Sequence, residues 1–363
     1  MNACTGDQCA SSHASGESVR APVISSWRTA FSDADEQAAC IPVYPQTYEQ
    51  LGCGQFSGEM TTVDLGGVLV VRERVNRRLL QNGLITAVSL FWAWKKSHRY
   101  RSNGVEHDDN CMMLYGAHEE FDILSDPSEM VAVSLSEQTL ADWFGCPTEL
   151  IDPGLFRGPR KVPTDIADSL RRAIMTGLAI ADQQGNTIPD ELWRDSIRDE
   201  LLQAVTTVAE LPGDRQIRRC ERTYERVVRA AREFTLRNSG EELSLQDVYQ
   251  HIGVSRRNLH YAFDCVMGIS PGQYLRSLRL NAARRDIKRW NPAAHSLADI
   301  AARWGFWHPS HFAADYKRRF GELPSETAHR AARGRASSPV EPSVRTSADR
   351  SLLDQGNARA RFA

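Results

Sequence analysis

Two hydrophobic periods divide the chain. Between about residues 30 and 150, apolar positions fall in short β-branched or aromatic runs closed by Gly and polar residues. GGVLVVRERVNRRL, GLITAVSLFWAWKK, NCMMLYGAHEEFDIL and EMVAVSLS each have this form and predict strands. Their spacing predicts a sandwich or barrel. Within VSLFWAWK, alternation puts Val88, Leu90, Trp92 and Trp94 on one face. From Pro163 to Leu211 the period lengthens. Ile166, Leu170, Ala173, Ile174 and Leu178 recur every three or four residues, and Leu192, Ile197, Leu201 and Val205 repeat the pattern. Two amphipathic helices follow, with Pro189 suited to a first helical turn and QQGNTIP as the bend between them. Either they pack on the β-rich part or they form a dimer seam; the pattern fits both.

From Ile217 to about Arg333 the periodicity is helical throughout, and it repeats. A shift of 53 residues lays Gly268 on Gly321, Pro271 on Pro324, Leu259 on Phe312, Phe263 on Tyr316 and Val248 on Ala301. LQDVYQHIGVSRRNLHYAFDCVMGISP and LADIAARWGFWHPSHFAADYKRRFGELP are therefore two copies of one unit, each a helix, a short turn and a second helix. In the first copy the opening helix spans about 244–251, Gly253 frees the bend, and Ser255 caps the next helix. Leu259, Ala262, Phe263 and Val266 share one face of that helix; Arg257, Tyr261 and Asp264 share the other, with Asn258 and His260 at the flanks. In the second copy the opening helix spans about 297–303. Pro309 suits a first helical position, Phe312, Tyr316 and Phe320 form the inward stripe, and Trp304 and Phe306 anchor the turn. Ser310, Ala314 and Lys317 face away, beside His311 and Arg318. GQYLRSLRLNAARRDIKRW joins the copies as one continuous helix.

Charge sharpens this picture. The net charge is only −2, yet residues 221–333 carry 19 Lys+Arg against 12 Asp+Glu, while 1–220 carry 20 against 31. An acidic front and a basic back point the back toward a polyanion. A second helix of each unit would then lie in the major groove of duplex DNA. Its N-terminal N–H groups would meet phosphates, and Arg257 would make a bidentate pair with guanine.

The N-terminus, MNACTGDQCASSHASGESVRAP, lacks the basic start and apolar centre of a signal peptide. No apolar run approaches the roughly 18 to 20 residues of a membrane span. Both observations predict a cytoplasmic protein. The eight cysteines, Cys4, Cys9, Cys40, Cys53, Cys111, Cys146, Cys220 and Cys265, form no C-x-x-C pair and are expected as free thiols. Composition predicts disorder at 1–25 and 334–363.

VSRRNLHYAFDCVMGISPGQYLRSLRLNAARRDI and DIAARWGFWHPSHFAADYKRRFGELPSE resemble the AraC/XylS family of bacterial transcription regulators over about 100 residues. Ala301 to Phe306 stand as the family's A-x-x-x-G-F, and Phe320 to Pro324 as its closing F-G-x-x-P. Within the family, RLNAARRDIKR and RWGFWHPSHFAADYKRRFGELPS look most like regulators of ethanolamine-utilisation operons, and YEQLGCGQFSGEM fits the front domain of that wider subgroup. The resemblance implies a multidomain α+β chain, probed by five expected regions. These are a disordered 1–25; a β-rich sandwich or barrel-like, cupin-like sensing domain over 26–155; a helical dimerisation or connector segment over 160–215; an all-α domain with two helix-turn-helix units over 220–333; and a disordered 334–363. It further implies a transcription activator on the nucleoid. Its partners would be double-stranded DNA, a small-molecule effector, RNA polymerase and a second copy of itself, with no membrane and no cofactor. Expected DNA-binding residues are Arg256, Arg257, Asn258, His260 and Tyr261 in the first copy. In the second they are His308, Pro309, Ser310, His311, Ala314, Lys317 and Arg318. Pro309 and Ala314 carry no hydrogen-bonding side chain, so the second copy reads bases through Ser310 and the thymine methyl, or mainly touches phosphates through His308, His311 and Lys317. Trp92 and Trp94 are the expected effector-pocket residues.

Two rival classes bear weighing. His98, His107 and His118, with Glu106, Asp108, Asp109, Glu119 and Glu120 nearby, would suit a cupin-type metal enzyme, but no H-x-H pair occurs. His308 and His311 would likewise be a metal pair without further ligands nearby in sequence. An effector-independent, architectural DNA-binding protein is the other class, and the acidic 220-residue front argues against it. No catalytic residue and no metal ligand is therefore expected.

Overall fold

The structure, a computed structural model, describes residues 25–41, 43–94, 100–103, 105–107, 111–152, 154–182, 191–213, 221–238, 243–292 and 295–337. The expected disorder at 1–24 and 338–363, the bend at 183–189, and Cys4, Cys9, Cys220, His98, Asp108 and Asp109 lie outside the described residues.

The front half begins with β1 (Ser25–Phe31), the short helix α1 (Ala34–Ala38), β2 (Gln46–Gln50), β3 (Gly58–Asp64), β4 (Val68–Val75), β5 (Leu79–Ile85) and β6 (Val88–Ala93). It continues with β7 (Tyr100–Ser102), β8 (Val105–His107), β9 (Cys111–Tyr115), β10 (Glu119–Ser125), β11 (Ser128–Leu135), helix α2 (Glu137–Phe144) and β12 (Gly158–Lys161). One sheet has the order β1-β3-β4-β11-β6-β9-β12, the other β2-β5-β10-β7-β8. β12 pairs with β9, so the sheet runs past Leu155, the expected limit of the β-rich region.

Strand alternation sends side chains to two cores. From β4 and β6, Leu69, Val71, Phe91 and Ala93 point between the sheets, where they meet Tyr48, Tyr100, Phe121 and Ile123 of the opposite sheet. The alternate residues Val68, Val70, Leu90 and Trp92 point outward onto α3 (Thr164–Asp182) and α4 (Glu191–Glu210). The apolar stripes of these two helices, Leu170, Ala173, Ile174 and Leu178 with Ile197, Leu201 and Val205, are spent on this sheet. The first of the two fates, packing on the β-rich part, is thus seen for these stripes. Burying the seven-stranded sheet on both faces explains why every residue of β11 is buried.

Among the described residues seven helices follow: α5 (Glu221–Arg237), α6 (Leu245–Ile252), α7 (Arg256–Met267), α8 (Pro271–Lys288), α9 (Leu297–Arg303), α10 (Pro309–Phe320) and α11 (Pro324–Ser337). The last extends four residues into the expected tail. α5 to α8 surround one core, which includes Val248, Leu259, Phe263, Tyr274 and Leu278. A second core joins Leu280, Ala283 and Ile287 of α8 to Ile300, Phe312, Tyr316 and Phe320. Hence α8 serves both helix pairs. No helix among the described residues is long and apolar enough to cross a membrane.

The internal repeat is real, but its register shifts. α7 and α10 are both twelve residues long and stand 53 apart. Their preceding helices stand 52 apart: Ser244 and Ser296 each cap with a reciprocal box to Asp247 and Asp299. Val248 is therefore matched by Ile300, not by Ala301. The second turn takes one residue more between its left-handed glycine and the next cap: Gly253 (φ 72°) precedes Ser255, whereas Gly305 (φ 74°) precedes His308 by three.

The two halves are locked together. Leu51, Leu80 and Leu124 of the front half enter the α5–α8 core. Asn281 of α8 accepts from the Gln50 backbone N–H at 2.9 Å and donates to the Gln50 carbonyl at 3.1 Å, a side-chain copy of strand pairing. Arg232 forks onto buried Glu49 at 2.9 and 3.1 Å. Asp33 binds Arg284 at 3.0 Å and also Lys288, while Asp35 receives Arg285 at 3.2 Å and Lys288 at 2.7 Å. This corrects the charge reading: part of the basic surplus of the C-terminal half neutralises acids of the chain's own front half.

Candidate nucleic-acid interface

Helix α7 is positioned by Ser255, whose hydroxyl accepts from the Asn258 N–H at 3.1 Å. Its inner row, Leu259, Ala262, Phe263 and Val266, is buried, which turns Arg256, Arg257, Asn258 and Tyr261 outward to solvent. His260 is half-buried at the flank. The Tyr261 ring is 55% exposed and meets Tyr224 of α5 edge-on at 5.2 Å. All five expected residues of the first copy thus occupy one helix, four of them on its free side.

Helix α10 starts differently. His308 occupies the cap position without a side-chain cap bond, and Pro309 follows at the first helical position. His308, Pro309, Ser310, His311, Ala314, Lys317 and Arg318 are all exposed. The rings of His308 and His311 lie 5.5 Å apart, edge to face. Among the described residues no group of three or more His, Cys, Asp or Glu is placed to hold a metal ion. Trp304 and Phe306 sit against the second core as expected, and the Trp304 indole N–H donates to Asp286 at 2.9 Å.

Three features of this surface escaped the sequence reading. Asp315 is buried and paired with both Arg276 of α8 and Arg318 of its own helix. Arg318 is thus an internal partner as well as an exposed cation. The signal was available: Asp315 stands three residues after Phe312, within the inward stripe, where a carboxylate needs a cation. Arg284 lies over the Phe320 ring at 4.6 Å and donates to Glu322 at 2.6 Å. Trp307, in the second turn, is 52% exposed beside the α10 terminus.

The front half places its expected residues otherwise. Trp92 and Trp94 belong to the sheet–helix core, with the Arg171 guanidinium 4.4 and 4.6 Å from their ring centres. They do not line the cavity between the halves. His107 is buried, its ring tilted against that of Tyr100 at 5.0 Å, and 3.2 Å from Cys111 Sγ. Between the sheets, Glu73 accepts from Tyr48 at 2.5 Å, Gln37 at 2.7 Å and Gln81 at 2.8 Å. Burial pushes its carboxyl above the usual range, against the pull of those donors.

Residues 248–330 match the family model described as a helix-turn-helix domain. Over 100 residues, 28% of this chain, the sequence is 37% identical to the probable thc operon regulatory protein of Rhodococcus erythropolis, covering 30% of that protein. Over 108 residues, 30% of this chain, it is 33% identical to the XylDLEGF operon transcriptional activator 1 of Pseudomonas putida, covering 31% of it. The matches therefore span about three tenths of the length of these relatives. A crystal structure of an AraC-type transcriptional regulator from Chromobacterium violaceum is 30% identical and covers 30% of this chain and 96% of that one, with a TM-score of 0.28.

Proposed function

We propose that this chain, whose residues 248–330 carry the helix-turn-helix domain, is a sequence-specific DNA-binding transcription regulator governed by its front half. α7 and α10 are the reading helices of two helix-turn-helix units, held by the shared helix α8. Arg257 reads guanine, with Arg256, Asn258, His260 and Tyr261 around it. The second helix reads through Ser310 and Ala314 and grips phosphate with His308, His311, Lys317 and Arg318. The observation that carries this reading is the segregation of both helices: inner rows buried, outer rows of Arg, His, Ser and Lys exposed. A bundle helix with no outside partner has no need of exposed cations in both repeats, Arg256 and Arg257 at the start of α7 and Lys317 and Arg318 toward the end of α10.

The front half supplies regulation by a small-molecule effector, activation through RNA polymerase and pairing with a second copy. Control of an ethanolamine or similar catabolic operon is the finer reading that the sequence resemblance supplies. Genome-wide mapping of bound sites in the native host tests all of this. The expected result is a small set of sites sharing one motif with two half-elements, upstream of catabolic genes. Occupancy spread evenly over the genome, with no shared motif, would overturn it.

A further inference from the structure

The turn of the second helix pair is longer than that of the first by one residue, and the residue inserted is Trp307. In the first pair Gly253 takes the left-handed conformation, and the Val254 N–H donates to the Tyr249 carbonyl at 3.0 Å. In the second, Gly305 takes the same conformation, and the Phe306 N–H donates to the Ala301 carbonyl at 2.9 Å. Both bonds close the end of a helix in the same way, so Val254 and Phe306 are equivalent. Each is also packed, partly buried, against the core of its own pair. Ser255, the cap of α7, follows Val254 directly. Between Phe306 and His308, at the cap position of α10, stands Trp307.

The turn closes without this residue, and Phe306 already fills the place at the core. Trp307 instead stands 52% exposed at the head of an unbroken exposed run, residues 307–311. The indole N–H groups of Trp290 and Trp304 donate to the His295 carbonyl and to Asp286. That of Trp307 has no acceptor among the described residues. An indole offers an apolar body and one donor, and no acceptor. Its surroundings are one-signed: Lys317 and Arg318 are exposed, and the one carboxylate between Trp307 and Arg318, Asp315, is buried under Arg276 and Arg318. A surface with a free donor, a bare ring and no exposed acid fits a polyanion better than a protein partner.

We infer that Trp307 is a DNA-contact residue that grips the backbone strand beside α10. A residue just ahead of a groove-inserted helix faces the phosphates at the groove edge. The Trp307 indole N–H donates to a phosphate oxygen there, and its ring lies on the adjoining deoxyribose. Such contacts set position and carry no base preference. The second unit thereby gains a hold that the first lacks, which suits a helix whose outward Pro309 and Ala314 offer no hydrogen bond. The inference rests on the DNA-binding reading proposed above.

The test uses a duplex that the full chain selects from a random-sequence library. Trp307→Ala weakens that duplex about tenfold and selects the same motif. Its slope of log K against log salt equals that of the wild type, because a neutral side chain displaces no counterion. Ethylation of one phosphate interferes with the wild type and no longer interferes with Trp307→Phe, which keeps a ring but has no N–H. That comparison stands even if Trp307→Ala folds poorly. Unchanged affinity in Trp307→Ala, an altered motif, a flattened salt slope, or identical ethylation patterns for wild type and Trp307→Phe each overturn this inference alone. A wild-type chain that selects no duplex overturns the DNA-binding reading and this inference with it.

Discussion

Asp33 and Arg284 stand 251 residues apart in sequence and meet as a buried ion pair at 3.0 Å, one from the cap of α1 and the other from the middle of α8. Burial alone would raise the Asp33 carboxyl, but Lys288 and Arg284 outweigh it and bring it down to about 2. A carboxylate lowered in the folded state stabilises above its unfolded value, near 3.8, and loses that contribution as pH falls toward 2. The difference is worth about 2 kcal/mol at neutral pH. Urea midpoints at pH 7, 4 and 3 should therefore fall steeply for the wild type and less for Asp33→Asn. Arg284→Ala leaves the buried acid with Lys288 as its remaining cation and should cost about 1–3 kcal/mol. Midpoints that move by less than a tenth of that would contradict the pair's role.

Asn281 and Gln50 make the second joint between the halves. Asn281→Ala leaves a buried N–H and a buried carbonyl of β2 without partners, so stability should drop by about 1–3 kcal/mol. Chemical denaturation followed by tryptophan fluorescence measures it. An unchanged midpoint would mean that water replaces the amide.

Helices α7 and α10 differ at their caps, and the difference is measurable. Ser255→Ala removes the bond to the Asn258 N–H and should cost about 1 kcal/mol. His308→Ser supplies a cap that α10 lacks and should stabilise the isolated chain by a similar amount. It should also weaken DNA binding, because His308 is proposed to touch phosphate. Thermal melts and gel-shift titrations of both variants separate the two effects.

Arg257→Ala should relax preference at one base position by about 1–3 kcal/mol, read by binding to a library of single-base variants of the operator. Lys317→Ala should weaken binding to every sequence alike and reduce the slope of log K against log salt by about 1. A Lys317 variant that changes base preference instead would reverse the two assignments.

Trp92 is 1% exposed in the sheet–helix core. Trp92→Ala should cost about 3–5 kcal/mol of stability before any ligand is added. A fully stable variant that fails only in its response to an effector would support the pocket role expected from the strand pattern.

Much of this architecture is legible in residue order alone. Helix bounds such as Thr164–Asp182 follow from a 3.6-residue period, and the two-copy design of the C-terminal third follows from the spacing of Gly268, Pro271, Gly321 and Pro324. The exposure of Arg257 and Ser310 follows too, because a buried stripe at Leu259 and Phe263, or Phe312 and Tyr316, leaves only one side of each helix free. Such features are local: backbone geometry converts sequence spacing into direction within a few residues. What tertiary structure alone decided is where distant groups meet. Basic residues counted toward DNA turn out to face Asp33, Asp35, Glu49, Glu120 and Asp122, and two tryptophans that alternation put on one face pack against the covering helices. The one-residue slip that matches Val248 with Ile300 is hidden for the same reason. An ion pair, a sheet's choice of cover and the length of a turn depend on packing between segments that the chain keeps far apart.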